Sequence, residues 1–324
     1  MDFMNFFLRE SYKKVQGLGD RLELMKEKID WEPFVPLISK VFHDNKEIGG
    51  RPHTDELIVV RVMLLQGWYG LSDPELEFQA HDRLSFRNFL DFPKSIPDFS
   101  TVWKIRERLK DAGVEDEIWA ELQRQLDEKG YVMKKGVIQD ASFIESDFGK
   151  KRYHKKKQAE KKGETVEYTD RQKSHIDMDA TFAVKNNQIH HGYKSHIKID
   201  RDKHFIRDFD VSTASLHDGE IDLANENDIV YRDRGYTGKA TRAKGNASMK
   251  RGNLTVKEKM RNYRISKKRA PGERPFAVIK RVFNGGRTMV KRIERVSIKE
   301  MFKYFAYNLY NLVTQDNKSI AVAI

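Results

Sequence analysis

Apolar residues recur at two different spacings along this chain, and the change of spacing divides it near residue 130. Before that point the period is helical. After the start signal Thr54-Asp55, the residues Leu57, Val60, Met63 and Leu64 fall on one side of a helix, with Gly67 or Gly70 as its stop. Ser72 with Glu75 three residues on predicts the next helix start. Asp98-Phe99-Ser100-Thr101 opens another, carried by Ile105 and Leu109. Ile118, Trp119, Leu122 and Leu126 mark a further helix, ended by Gly130. Short turns between these helices predict a small bundle over residues 1–130.

From Val137 the pattern becomes that of strands. Val137 to Ile144 is short and rich in β-formers. In Gly192 to Asp200, Tyr193, Ser195, Ile197 and Ile199 alternate with Lys194, His196 and Lys198. Phe205 to Ser212 and Ile229 to Asp233 are two more strands, with a short helix expected over roughly His217 to Glu226. Strands, a helix, a strand and then helices read as an α/β domain over 131–324. The apolar stripe Phe302, Phe305, Leu309 and Leu312 reads as core.

Charge narrows the class. Lys and Arg number 61 against 49 Asp and Glu, a net charge of +12. Such a balance favours a polyanionic partner, although a ribosomal or merely soluble basic protein fits composition equally. The segment 149–164, with Lys155-Lys156-Lys157 and Lys161-Lys162, reads as a basic loop, either solvated or contacting DNA. The absence of cysteine excludes disulfides, thiolate metal sites and a cysteine nucleophile. Phe6-Phe7-Leu8 is followed at once by Arg9 and Glu10, so no signal peptide is expected. The apolar run Leu57 to Leu65 is broken by Arg61 and is shorter than the roughly 20 residues a membrane span needs. These features predict an intracellular protein without a membrane partner.

Two acids interrupt apolar strands: Asp140 in Val-Ile-Gln-Asp-Ala-Ser and Asp233 in Ile-Val-Tyr-Arg-Asp-Arg-Gly-Tyr. A carboxylate there is costly unless paired or metal-bound. Taken singly, each is as well explained as a strand-end cap or ion-pair partner. Glu273 follows Pro271 at a helix start, where Phe276, Ile279 and Phe283 form a stripe. Lys280 shares the face of Glu273, falling 20° short of two full turns. The plain alternative is an N-terminal Glu favoured by the helix dipole. Three acids from two strands and a helix would suit two Mg²⁺ ions about 4 Å apart, which activate a nucleophile and stabilise a leaving oxygen in phosphoryl transfer. His175, His190, His191 and His196 lack a zinc-ligand spacing, and His196 reads better as support for the acids or a phosphate.

Several segments, in order, resemble insertion-sequence-five-family transposases. They are Gly50-Arg-Pro-His53, Leu64 to Asp73, Leu84 to Phe89, Pro97 to Thr101 and Arg106 to Leu109 in the N-terminal part. Gly192 to His196, Ala214 to Asp218, Tyr231 to Tyr236, Arg261-Asn262 and Glu273 to Arg281 follow in the second part. The family's Glu segment is Tyr, two residues, Arg, three, Glu, six, Lys; Arg269, Glu273 and Lys280 fit, Ser266 stands at the Tyr position, and Gly272 replaces an apolar residue.

The resemblance implies a ribonuclease H-like catalytic domain, a mixed sheet flanked by helices, preceded by a small helical N-terminal domain. It implies an Asp-Asp-Glu (DDE) site of Asp140, Asp233 and Glu273 holding Mg²⁺ or Mn²⁺. Arg269, Lys280 and, less directly, Lys194 are then expected to bind DNA phosphates. The implied partners are double-stranded DNA, as terminal inverted repeats and target, and a second copy of the chain on that DNA. The N-terminal domain would bind DNA ends or dimerise, in the cytoplasm at a prokaryotic nucleoid. The implied reaction frees 3′-hydroxyls at the element's ends and joins them to target DNA. Two alternatives stand beside it: an inactive transposase-derived DNA-binding protein and a metal-dependent DNA nuclease.

Overall fold

The computed structural model describes residues 3–42, 53–134, 136–146 and 150–322. Gly50, Arg51 and Pro52 of the first motif, and Gly149 of the basic segment, lie outside them. The chain forms two compact units, one of residues 1–132 with 298–324 and one of 133–297.

The first unit is helical: α1 (Phe3–Gln16), α2 (Arg21–Lys26), α3 (Val35–Ser39), α4 (Glu56–Tyr69), α5 (Asp73–Asp82), α6 (Leu84–Phe89), α7 (Phe99–Ala112) and α8 (Glu115–Glu128). The predicted punctuation is the observed one. Asp55 caps α4 through the Leu57 and Ile58 amides, and Gly70 ends it in the left-handed region at φ 62°. Ser72 caps α5 through the Glu75 amide, and Asp98 caps α7 through Thr101.

The α4 periodicity predicted one apolar face, yet Val59 through Trp68 is buried without a break. Such a helix is central rather than amphipathic. Arg61 is tolerated inside it because its guanidinium pairs with Asp91 and lies 5.0 Å over Trp31. Arg106 of α7 is also buried, donating to Asp73 at 2.5 Å and to Gln66 at 3.1 Å, so one guanidinium ties α4, α5 and α7 together.

The second unit is built on a mixed sheet. Its described elements are β1 (Val137–Ser146), α9 (Lys150–Lys161), α10 (Asp170–His175), β2 (Thr181–Lys185), β3 (Gln188–Asp200), β4 (Ile206–Thr213), β5 (Ile229–Arg232), β6 (Gly245–Ser248), α11 (Val256–Arg269), α12 (Glu273–Arg281) and β7 (Arg287–Thr288). The strand order is β2-β3-β1-β5-β6, with β4 on β3 and β7 on β1. β1 runs antiparallel to β3 and parallel to β5. Val137, Ala224 and Val230 form one core cluster; Ile144, Ala180, Tyr193, Val211 and Val296 form another. A last helix, α13 (Ile293–Val322), begins in this unit and continues in the first.

Three expectations need correction. The basic segment 149–164 is not a loop but carries α9, because its Lys, Arg, Gln, Ala and Glu residues are good helix formers with no β-branched member. The helix expected over 217–226 is a single 3₁₀ turn at Asp218–Glu220. The C-terminal helix, from residue 298 on, belongs to the first unit, although the second domain was drawn to residue 324. Its apolar positions pack against helices distant in sequence: Phe305 lies 5.5 Å from the Phe34 ring, and Gly67 of α4 leaves a Cβ-sized gap only 3.0 Å from Lys303.

β2 was not foreseen, although Asn186-Asn187, both with positive φ (52° and 59°), mark a tight hairpin. Gly192 matters most for the sheet. It sits at φ 143°, and an added Cβ would lie 2.3 Å from the Ile144 carbonyl oxygen across the β1–β3 ladder. Gly192→Ala should therefore lower stability by about 2 kcal/mol or more. Urea unfolding midpoints measure this, and an unchanged midpoint would refute the close-approach argument.

Candidate active site

Asp140 and Asp233 come together because β1 and β5 are parallel neighbours. Continued two residues further, the register Val137↔Val230 and Ile138↔Tyr231 carries Asp140, inside β1, to the level of Asp233, just beyond β5. The residue before each acid fastens the two strands. Gln139, fully buried, accepts from Arg232 Nε at 3.1 Å and Nη2 at 2.5 Å and from the Leu223 amide at 3.3 Å, and donates to the Ile221 carbonyl at 2.7 Å. Arg232, itself 1% exposed, also pairs with Asp222 and lies 5.2 Å over the Tyr236 ring. Sequence reasoning missed this lock. Its signal was the same one that exposed the acids, namely polar side chains inside apolar strands.

Asp140 is half-buried. One carboxylate oxygen accepts from the Ala141 amide at 2.9 Å, and the other accepts from Arg269 Nη2 at 2.9 Å. Burial pushes its carboxyl above the usual range and the nearby charge of Asp233 pushes the same way, while Arg269 and Lys185 oppose them. Asp233 follows β5 and caps a 3₁₀ turn, accepting from the Gly235 amide at 2.6 Å. Gly235 permits the curl, since a Cβ there would lie 2.8 Å from Asp233 Oδ1.

Glu273 opens α12, as expected, but its side chain is exposed. The turn before it is pressed onto β1. A Cβ on Gly272 would meet Ile138 Cγ2 at 2.7 Å, and Ile138 is on the same face of β1 as Asp140. The glycine in place of an apolar residue is thus a steric requirement of this chain. The preformed three-acid site is not observed: among the described residues, no group of three or more histidine or acidic side chains is arranged to hold a metal ion.

The expected phosphate ligands are placed unevenly. Arg269, at the end of α11, is engaged by Asp140. Lys194 of β3 pairs with Asp218 at 2.7 Å and donates to the Leu216 carbonyl at 2.5 Å. Lys280 is exposed on α12. His196 is fully buried and shares a 2.8 Å hydrogen bond with Ser212, so it supports the sheet rather than meeting a phosphate. A cleft of about 450 Å³ opens beside the acids, lined among others by Asp233, Asp218, Lys185, Lys194 and Arg251.

Residues 9–108 match the family described as Transposase domain (DUF772), and residues 170–309 match Transposase DDE domain. Both parts of the chain are thus similar to transposase domains. The second unit is accordingly a ribonuclease H-like α/β domain, with a helical region before it in sequence. The DDE match includes Asp233 and Glu273 but begins after Asp140, whose place beside Asp233 rests on the β1–β5 register. No solved structure matches the chain. DDE transposases act on DNA with divalent metal ions, and no described helix here is long and apolar enough to cross a membrane.

Two measurements probe this arrangement. Arg232→Met strips the charge from between buried Gln139 and Asp222 and should destabilise the protein by about 3 kcal/mol in urea titrations; an unchanged midpoint would remove the lock from the account. Burial pushes the His196 imidazole down to about 4. The unfolded residue takes up a proton below about 6.5 whereas the folded one does not, so its contribution is complete above that pH and is lost as pH falls toward 4. Thermal midpoints should drop over this window, and less steeply in His196→Gln. Parallel pH profiles would contradict the assignment.

Proposed function

We propose that this DDE transposase cleaves the ends of an insertion sequence and joins the freed 3′-hydroxyls to target DNA, with Asp140, Asp233 and Glu273 as its catalytic acids. The observation that carries the proposal is the pairing of Asp140 and Asp233 on adjacent parallel strands, fastened through Gln139 and Arg232. Two half-buried carboxylates side by side repel one another, and burial makes ionisation of Asp140 costly. A divalent cation relieves both costs, so the pair fits one. Asp140 and Asp233 would hold Mg²⁺ or Mn²⁺, with Glu273 as the third ligand. The ion would supply Lewis-acid stabilisation of the phosphoryl oxygens.

The chain's own residues do the rest. Arg269 orients Asp140 and offsets its charge. Gly272 brings the turn before Glu273 against β1, and from there the exposed Glu273 would reach the pair. Lys280, sharing its face and exposed, meets a phosphate along the bound strand. Membership of the insertion-sequence-five family rests on the ordered motifs from Gly50 to Arg281. On this reading the substrates are terminal inverted repeats and target DNA. Two copies of the chain hold two ends, at the nucleoid of a prokaryotic cell.

A strand-transfer assay with end-sequence duplexes and Mg²⁺ tests the proposal. Wild type should cut and join, whereas Asp233→Asn and Asp140→Asn should each lose at least about a hundredfold in rate while still binding duplex. Full strand transfer by Asp233→Asn would refute the site. Cleavage without joining would identify a nuclease instead, and binding alone a non-catalytic DNA-binding protein.

A further inference from the structure

The cations around the acids fall into two sets. Arg269 is taken by Asp140, and Lys194 by Asp218 and the Leu216 carbonyl. Lys185 and Arg251 are different. Both line the cleft beside Asp233, both are exposed, and neither makes an ion pair or a hydrogen bond among the described residues. The Lys185 ammonium has only the Phe143 ring, 5.9 Å away, and its charge reaches Asp140.

Both stand on fixed backbone. Lys185 ends β2 at the tight Asn186-Asn187 turn, and its register with Gln188 is set by the hairpin. Arg251 follows Lys250, whose amide donates to Asn262 Oδ1 at 2.9 Å and whose carbonyl accepts from Asn262 Nδ2 at 3.0 Å. Asn262 is buried in α11, and its neighbour Arg261 donates to the Ser248 carbonyl at 2.7 Å. The segment Arg261-Asn262 thus pins the strand end that presents Arg251.

Charge balance gives these two residues a task. Asp140, Asp233 and Asp218 outnumber the paired cations Arg269 and Lys194, so without further cations the site repels a phosphodiester. Lys185 and Arg251 reverse the sign. Unpaired and exposed, they are free to exchange counterions for phosphates, whereas Arg269 and Lys194 must first break an ion pair.

We propose that Lys185 and Arg251 are the phosphate-binding cations that seat a DNA backbone across Asp140 and Asp233, with Asn262 positioning Arg251. This inference rests on the reading of the acids as a DNA-cleaving site.

Its test is equilibrium binding of the full-length protein to a labelled end-sequence duplex without divalent metal, over a salt series. Lys185→Gln and Arg251→Gln should each weaken binding about fivefold near 0.1 M salt and reduce the log–log salt slope by about one, and the double variant by about two. Lys129→Gln, exposed and not lining the cleft, should leave the slope at its wild-type value. Asn262→Ala should mimic Arg251→Gln in slope while Arg251→Lys restores it. Unchanged slopes in Lys185→Gln and Arg251→Gln, or an equal loss in Lys129→Gln, would overturn the assignment. A parallel cleavage assay in Mg²⁺ separates the two readings. Wild-type cleavage with unchanged slopes rejects the phosphate assignment alone. Slope losses with an inactive wild type reject the cleavage reading and leave the phosphate assignment standing.

Discussion

Two like charges are held side by side, Asp140 inside β1 and Asp233 just beyond β5, and most of the second unit can be understood as what that juxtaposition requires. Asp140 and Asp233 repel one another, and burial together with that repulsion pushes the Asp140 carboxyl toward its protonated form. The opposition is built one residue earlier on each strand. Gln139 and Arg232 exchange hydrogen bonds in the buried layer, and Asp222 takes the remaining guanidinium charge. A buried arginine is costly without partners and worthwhile only when fully satisfied. Here the strand pairing and the ion pair depend on each other, so the acids cannot separate without exposing the lock beneath them.

Above that layer, backbone proximity replaces side-chain bulk. Gly272 lets the turn before α12 rest on Ile138, and Gly235 lets Asp233 fold back on its own turn. Both glycines have ordinary negative φ, so the demand is for space and not for left-handed backbone. The turn before Glu273 therefore lies against β1 while the Glu273 side chain stays in solvent.

The cations follow a similar division of labour. Those near the acids that carry a partner, Arg269 and Lys194, are each engaged by a carboxylate. Those without one face the cleft. A net charge of +12 says that the molecule attracts polyanions, but the placement of individual partners determines where an anion can settle.

The sequence by itself determined the helical first part, its caps at Asp55, Ser72 and Asp98, the strands bearing Asp140 and Asp233, and the helix opened by Glu273. These follow from local physics: a period of apolar residues, a side-chain oxygen before a helix, a proline and a glycine at the right ends. Tertiary structure decided what local rules cannot reach. α4 is buried all round because helices from distant parts of the chain cover it, and α13 from residue 298 joins the first unit although sequence order places it after the second. The family resemblance implies that Arg269 binds phosphate, yet 129 positions away in the chain Asp140 claims it. Pairing of that kind depends on which strands become neighbours, and hydrophobic periodicity carries no record of it.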